Sequence, residues 1–207
     1  MKINDLDRKK HANRRLGKTN PSRVKDIHNV LYQWFNGDFM PSEWGYRKNI
    51  NEHKSVLLDF RELYKEFIPK RSLTLYRYRN TGLPVREGEK RILNTASRRI
   101  QSWTTNKKSA EKFYRESGYL GIPFESKTKP IIIKSIFEPK DIMVTIDMYY
   151  NFVVDSYLLD YETGLENKLP KEDYFFLLFH MSKNEREVVV DAKPRRMVII
   201  EKIIRKK

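Results

Sequence analysis

Between Ser72 and Arg79 the chain reads SLTLYRYR, and at this point its hydrophobic rhythm changes. Small or apolar residues alternate with polar ones at period two, the pattern of a strand with one covered face. Upstream the period is helical. Ile27, Leu31, Trp34 and Phe35 recur on one face of a segment that Ser22 is placed to cap and Gly37 to end. A second helical stretch begins at Asn51 and gathers Leu57, Phe60, Tyr64, Phe67 and Ile68 on one side before Pro69 stops it. Downstream, the runs KPIIIKSIF (129–137), DIMVTI (141–146), REVVVD (186–191) and RMVIIEKII (196–204) are rich in β-branched residues and predict strands. Helical interruptions are expected over Lys107–Glu116, capped by Asn106, and over Asp147–Leu159. The expected class is α+β, with a helical N-terminal region preceding a strand-rich part.

Lysine and arginine number 42 against 27 aspartate and glutamate, a formal charge of +15, which favours contact with polyanions or acidic protein surfaces. Part of that excess lies in Lys9, Lys10, Arg14, Arg15, Lys18 and Arg23, with no acidic residue among them, so residues 1–22 are expected to form a basic arm able to contact nucleic acid. The chain has no cysteine, which excludes disulfides, thiolate metal sites and a catalytic thiol. His11, His28, His53 and His180 lie far apart, so no metal is expected. The charged start MKINDLDRKK is unlike a secretory peptide, and no apolar run reaches about eighteen residues, so a cytoplasmic protein without membrane attachment is expected.

Three segments carry side chains suited to a reaction. Leu75-Tyr76-Arg77 presents an arginine on a strand, and a guanidinium grips a diphosphate through paired charge-assisted hydrogen bonds. Gln101-Ser102-Trp103-Thr104-Thr105-Asn106 places hydroxyls between a strand and a helix, where they can orient a carboxylate or a ribose hydroxyl while also starting the helix. In Glu185-Arg186-Glu187, positions i and i+2 of an extended strand share a face with Cα atoms about 7 Å apart, and Arg186 points away. Paired carboxylates suit chemistry at an anomeric carbon, one steadying an oxocarbenium-like transition state and the other handling the nucleophile.

The order of these segments resembles the arginine–serine–glutamate clade of mono-ADP-ribosyltransferases. That family includes cholera-toxin-like and clostridial toxins, vertebrate ecto-enzymes and phage-encoded modifiers of host proteins. The resemblance spans about residues 71–203 and implies a catalytic core of split β-sandwich type (71–207); it does not explain the basic arm (1–22) and the helical region (23–70) that precede it. It implies NAD as substrate, with Arg77, or Arg79 in a second register, holding the phosphates and scaffolding the cleft. Thr104, with Ser102 as the alternative, stands where the family has its motif serine, and Thr105 follows it. Glu187 would hydrogen-bond the nicotinamide-ribose 2′-hydroxyl, and Glu185 would orient or deprotonate the acceptor. The E-x-E form is associated with arginine as acceptor, and a guanidinium needs a nearby anion to dock and shed a proton. The segment 174–184 takes the place of the substrate-recognition loop, where Tyr174, Phe175 and Phe176 offer either a stacking surface or a buried strand.

By the same resemblance the target is an acidic or nucleic-acid-associated host macromolecule, met in the host cytoplasm if the chain is phage-encoded. The charge and the abundant Tyr and Trp also fit a non-enzymatic binder of RNA, DNA or the ribosome. A transferase acting on nucleic acid combines the two.

Overall fold

The computed structural model describes residues 5–35, 54–93, 100–112, 129–161, 186–193 and 196–204. The chain divides into two compact units, Met1–Ile68 with Met143–Ser182, and Pro69–Ile142 with Lys183–Lys207. The first boundary falls close to the expected residue 70. The expected unbroken core from 71 to 207 is interrupted, because 143–182 groups with the N-terminal region.

The first unit is helical. Helices α1 (Asp5–Leu16), α2 (Pro21–Phe35), α3 (Lys54–Leu63) and α5 (Ile146–Leu158) are its described elements, with a short 3-10 turn at Lys65–Phe67. On α2, Val24, Ile27, His28, Leu31 and Phe35 are buried at helical spacing. Its N-terminus differs from expectation: Asn20 rather than Ser22 is the cap, its Oδ1 accepting from Ser22 N at 2.9 Å, with Pro21 in the first helical position. Trp34 and Gly37 lie outside the described residues or side chains. Thr145 caps α5, accepting from Met148 N at 3.2 Å.

The basic arm is a docked helix. Ala12 and Leu16 of α1 are fully buried, and Arg15 reaches Asp155 of α5 through Nε at 2.6 Å and Nη2 at 3.0 Å. Tyr64 Oη donates to the same carboxylate at 2.8 Å, and the Arg15 guanidinium lies over the Tyr64 and Phe67 rings. Burial opposes the charge on Arg15, but its bonds to Asp155 and Glu66 outweigh that cost and raise its pKa further. Burial and then the Asp155 charge push the Tyr64 phenol well above its ordinary value. Arg14 pairs with Glu66, Arg23 with Asp59 and Lys10 with Asp7, so much of the arm's charge is answered within the unit.

The second unit is built on strands. β1 (Leu73–Thr81), β2 (Lys90–Leu93), β3 (Ile100–Thr104), β4 (Lys129–Phe137), β6 (Glu187–Asp191) and β7 (Arg196–Ile203) belong to one sheet with β5 (Ile142–Thr145), in the order β2-β7-β4-β1-β3-β6-β5. The chain leaves this unit within β5. Every strand expected from β-branched content forms. The helical stretch α4 covers residues 107–112 after Asn106, whose Oδ1 accepts from Lys108 N at 3.1 Å, as its expected cap role requires.

One face of the sheet carries the larger apolar cluster, while Ile100, Ile132 and Val189 are buried on the other. Leu75, Trp103, Ile133, Phe137, Val188, Val190, Val198 and Ile200 belong to the larger cluster, and the Trp103 and Phe137 rings meet edge to face at 4.9 Å. Trp103 on β3 and Phe137 on β4 meet although β1 lies between their strands, so the sheet curves toward this face.

Candidate functional site

The three segments singled out in the sequence lie on adjacent strands, β1, β3 and β6. Directly opposed residues of antiparallel strands share a face. Glu187 is opposite Thr104, Thr104 opposite Tyr76, Tyr76 opposite Lys134, Lys134 opposite Ile199, and Ile199 opposite Lys90. A single row therefore crosses six strands on the face away from the apolar cluster. It begins with a carboxylate, a hydroxyl, a phenol and an ammonium.

Arg77 belongs to the other face. It is opposite Ile133 and alternates with Leu75, both buried in the core. Its Nη1 donates to the Ser102 carbonyl at 2.9 Å and to Gln101 Oε1 at 3.4 Å. Gln101, itself buried, also accepts from Trp103 Nε1 at 3.3 Å. The expected single pocket of guanidinium, hydroxyl and carboxylate is thus divided by the sheet: Thr104 and Glu187 share one side, and Arg77 fastens β1 to the hydroxyl segment from the other. The signal for this was present in the sequence, since Arg77 has the same parity as Leu73 and Leu75. Arg79 shares that parity.

The hydroxyl segment is fixed locally. Thr104 is buried, and its Oγ1 accepts from Asn106 N at 2.9 Å, so it turns the chain from β3 toward α4. Ser102 is opposite Val189 and is part-buried on the same face as Thr104. Thr105 N donates to the Arg186 carbonyl at 3.3 Å, extending the β3–β6 connection one residue beyond the ladder.

β6 starts at Glu187, and Arg186 before it has φ of 46°, the left-handed region. Arg186 is therefore not the extended middle residue that the expected Glu185-Arg186-Glu187 strand requires. A bulky side chain there stores backbone strain of about 1–3 kcal/mol beside the candidate carboxylate. Glu185 and 174–184 lie outside the described residues.

Further along the row, Lys134 Nζ lies 2.7 Å from Glu201 Oε2, while Lys107 donates to Glu201 Oε1 at 3.0 Å. The hydrogen bond from Lys134, then that from Lys107, holds the Glu201 carboxyl below its usual range, and the same bond from Glu201 raises the Lys134 pKa. Sequence reasoning missed this trio, since Lys107, Lys134 and Glu201 have no local pattern.

Among the described residues no group of three or more His, Asp or Glu side chains is arranged to hold a metal, and no helix is long and apolar enough to cross a membrane. No family model, no curated protein and no solved structure matches this chain.

Proposed function

We propose that the chain is a mono-ADP-ribosyltransferase that cleaves NAD and transfers ADP-ribose to a macromolecular acceptor, most readily an arginine side chain. The observation that carries this reading is the adjacency of β1, β3 and β6 with Glu187 directly opposite Thr104. Segments more than 80 residues apart meet in the order that the resemblance requires. In this reading the sheet unit is the transferase core, and its curved sheet is the counterpart of the family's split sandwich.

Glu187 accepts a hydrogen bond from the nicotinamide-ribose 2′-hydroxyl and offsets the positive charge that grows on the ribose as the bond to nicotinamide breaks. Thr104, or Ser102 on the same strand face, holds that carboxylate or the ribose in position. Arg77 serves as the scaffold, tying β1 to the Ser102 carbonyl. Glu185 takes a proton from the acceptor nitrogen as it attacks the anomeric carbon, and nicotinamide leaves as a neutral base. The carboxylate and hydroxyl meet charge that exists only in the transition state, which is where preorganised groups act most strongly.

Incubation with labelled NAD and a cell lysate tests the reading. The native chain should label a macromolecule and release nicotinamide, and Glu187→Ala should do neither; equal labelling by both would remove the assignment. Glu185→Ala should lose arginine transfer and keep slow NAD hydrolysis.

A second reading, a non-enzymatic binder of nucleic acid or of the ribosome, is favoured by the net charge of +15 and by the exposed Arg8, Lys9 and Lys18 of the N-terminal segment. Thermal stabilisation by an oligonucleotide that fades with salt, with none from NAD, would select it. Stabilisation by both would point to a transferase whose acceptor is nucleic acid or is bound to it.

A further inference from the structure

An NAD-cleaving site at Glu187, on which this inference rests, needs a cation for the diphosphate on the Glu187 side of the sheet, and Arg77 is on the other side. The strand register supplies the inventory. On the Glu187 face, the described residues of β6, β3 and β1 are neutral or acidic. The first strand cation met along the row is Lys134 of β4, with only Thr104 and Tyr76 between it and Glu187. Three strand spacings put the Glu187 and Lys134 backbones about 14 Å apart, and Lys134 Nζ, which here turns to Glu201 on β7, would swing back toward β1 to meet a diphosphate in that gap.

Lys134 is prepared for an anion rather than consumed by its partner. Its side chain keeps 33% of its exposure, and Glu201 is shared with Lys107, so the trio carries one net positive charge. If Lys134 turns to a phosphate, Glu201 retains the Lys107 ammonium and is not left as an uncompensated carboxylate. Lys90, the next cation in the row, stands two strands further on, at the edge of the sheet.

We propose that Lys134, steadied by Glu201, receives the diphosphate of NAD, with Tyr76 as the spacer between that contact and the Thr104–Glu187 pair. A charge-assisted hydrogen bond of this kind corresponds to about a tenfold change in affinity or more.

The test uses inorganic pyrophosphate and NAD with the full chain. Calorimetry should show pyrophosphate binding weakened about tenfold in Lys134→Gln and unchanged in Lys65→Gln, which removes the same charge from the other unit. For NAD, Lys134→Gln should raise KM by a similar factor and leave kcat within about twofold, while Lys134→Arg restores KM. Equal pyrophosphate affinity in the native chain and Lys134→Gln, or no binding to either, overturns the proposal. Pyrophosphate binding that depends on Lys134 in a chain that never cleaves NAD upholds the anion contact and defeats the transferase reading instead. Should Lys134→Gln fail to fold, acylation of the native chain decides: pyrophosphate must shield Lys134 more than Lys65, and equal labelling refutes the assignment.

Discussion

Asp155 in the helical unit and Glu187 in the sheet unit are both carboxylates facing a hydroxyl-bearing residue, yet their surroundings fit them for opposite tasks. Asp155 is 3% exposed and accepts three hydrogen bonds, two from Arg15 and one from Tyr64, so its lone pairs are largely taken up within the protein. Glu187 is half-buried at the first position of its strand, opposite Thr104, in a row that also carries Tyr76 and Lys134. A saturated, enclosed carboxylate answers buried partners that its removal would strand. One placed at a strand end, beside a strained backbone residue, is suited to meet charge that arrives from outside.

The sharpest way to break this contrast is Asp155→Ala. It leaves the Arg15 guanidinium and the Tyr64 hydroxyl without their main acceptor, and should cost about 3–5 kcal/mol in urea unfolding. Unchanged stability would mean that the network is ornamental. Glu187→Ala should instead lower nicotinamide release by a factor on the order of 100 to 1000, while the melting temperature moves by only about 2 °C. A mutant that loses activity because it unfolds would merge the two carboxylates into one class.

Arg77→Lys sharpens the comparison at an intermediate scale. Arg77 Nη1 donates to both the Ser102 carbonyl and Gln101 Oε1, and the shorter lysine side chain does not reproduce that pair, so stability should fall by about 1–2 kcal/mol, with a loss of NAD turnover that Lys134→Gln does not reproduce in kcat. Lost turnover at full stability would assign Arg77 a direct contact with substrate.

The smallest effect is a pH dependence at Glu201. Its folded pKa lies below the usual 4.5, so its contribution is complete above that value and is lost as pH falls through the lowered folded pKa. A carbon-detected NMR titration should place the Glu201 midpoint below that of an exposed glutamate, and Lys134→Gln should bring it upward. A midpoint that ignores Lys134 would show that the ion pair does not form in solution.

The strands were legible because β-branched runs and period-two alternation are local properties, and 129–137 was delimited by sequence alone. The division of the site was legible only in part. That Thr104 and Glu187 meet depends on antiparallel register, which no single segment encodes. The parity of Arg77 with Leu75 is a sequence signal that places it on the core face. Arg186 could not have been read as left-handed, since nothing in a Glu-Arg-Glu stretch calls for positive φ. The N-terminal segment looked like a free arm because its lysines and arginines mask two apolar positions, Ala12 and Leu16, whose partners are distant in sequence.

That last feature bears on how the molecule is made. Arg15 and Asp155 are 140 residues apart, and Tyr161 Oη closes a similar span by donating to the Leu16 carbonyl at 3.0 Å. During synthesis α1 therefore cannot complete its packing until the 146–158 helix has followed it, with the strands of the other unit lying between the two in sequence. For the same reason, a truncated gene starting near residue 71 would deprive the 146–158 helix of its partners and yield an aggregation-prone fragment rather than a trimmed catalytic domain.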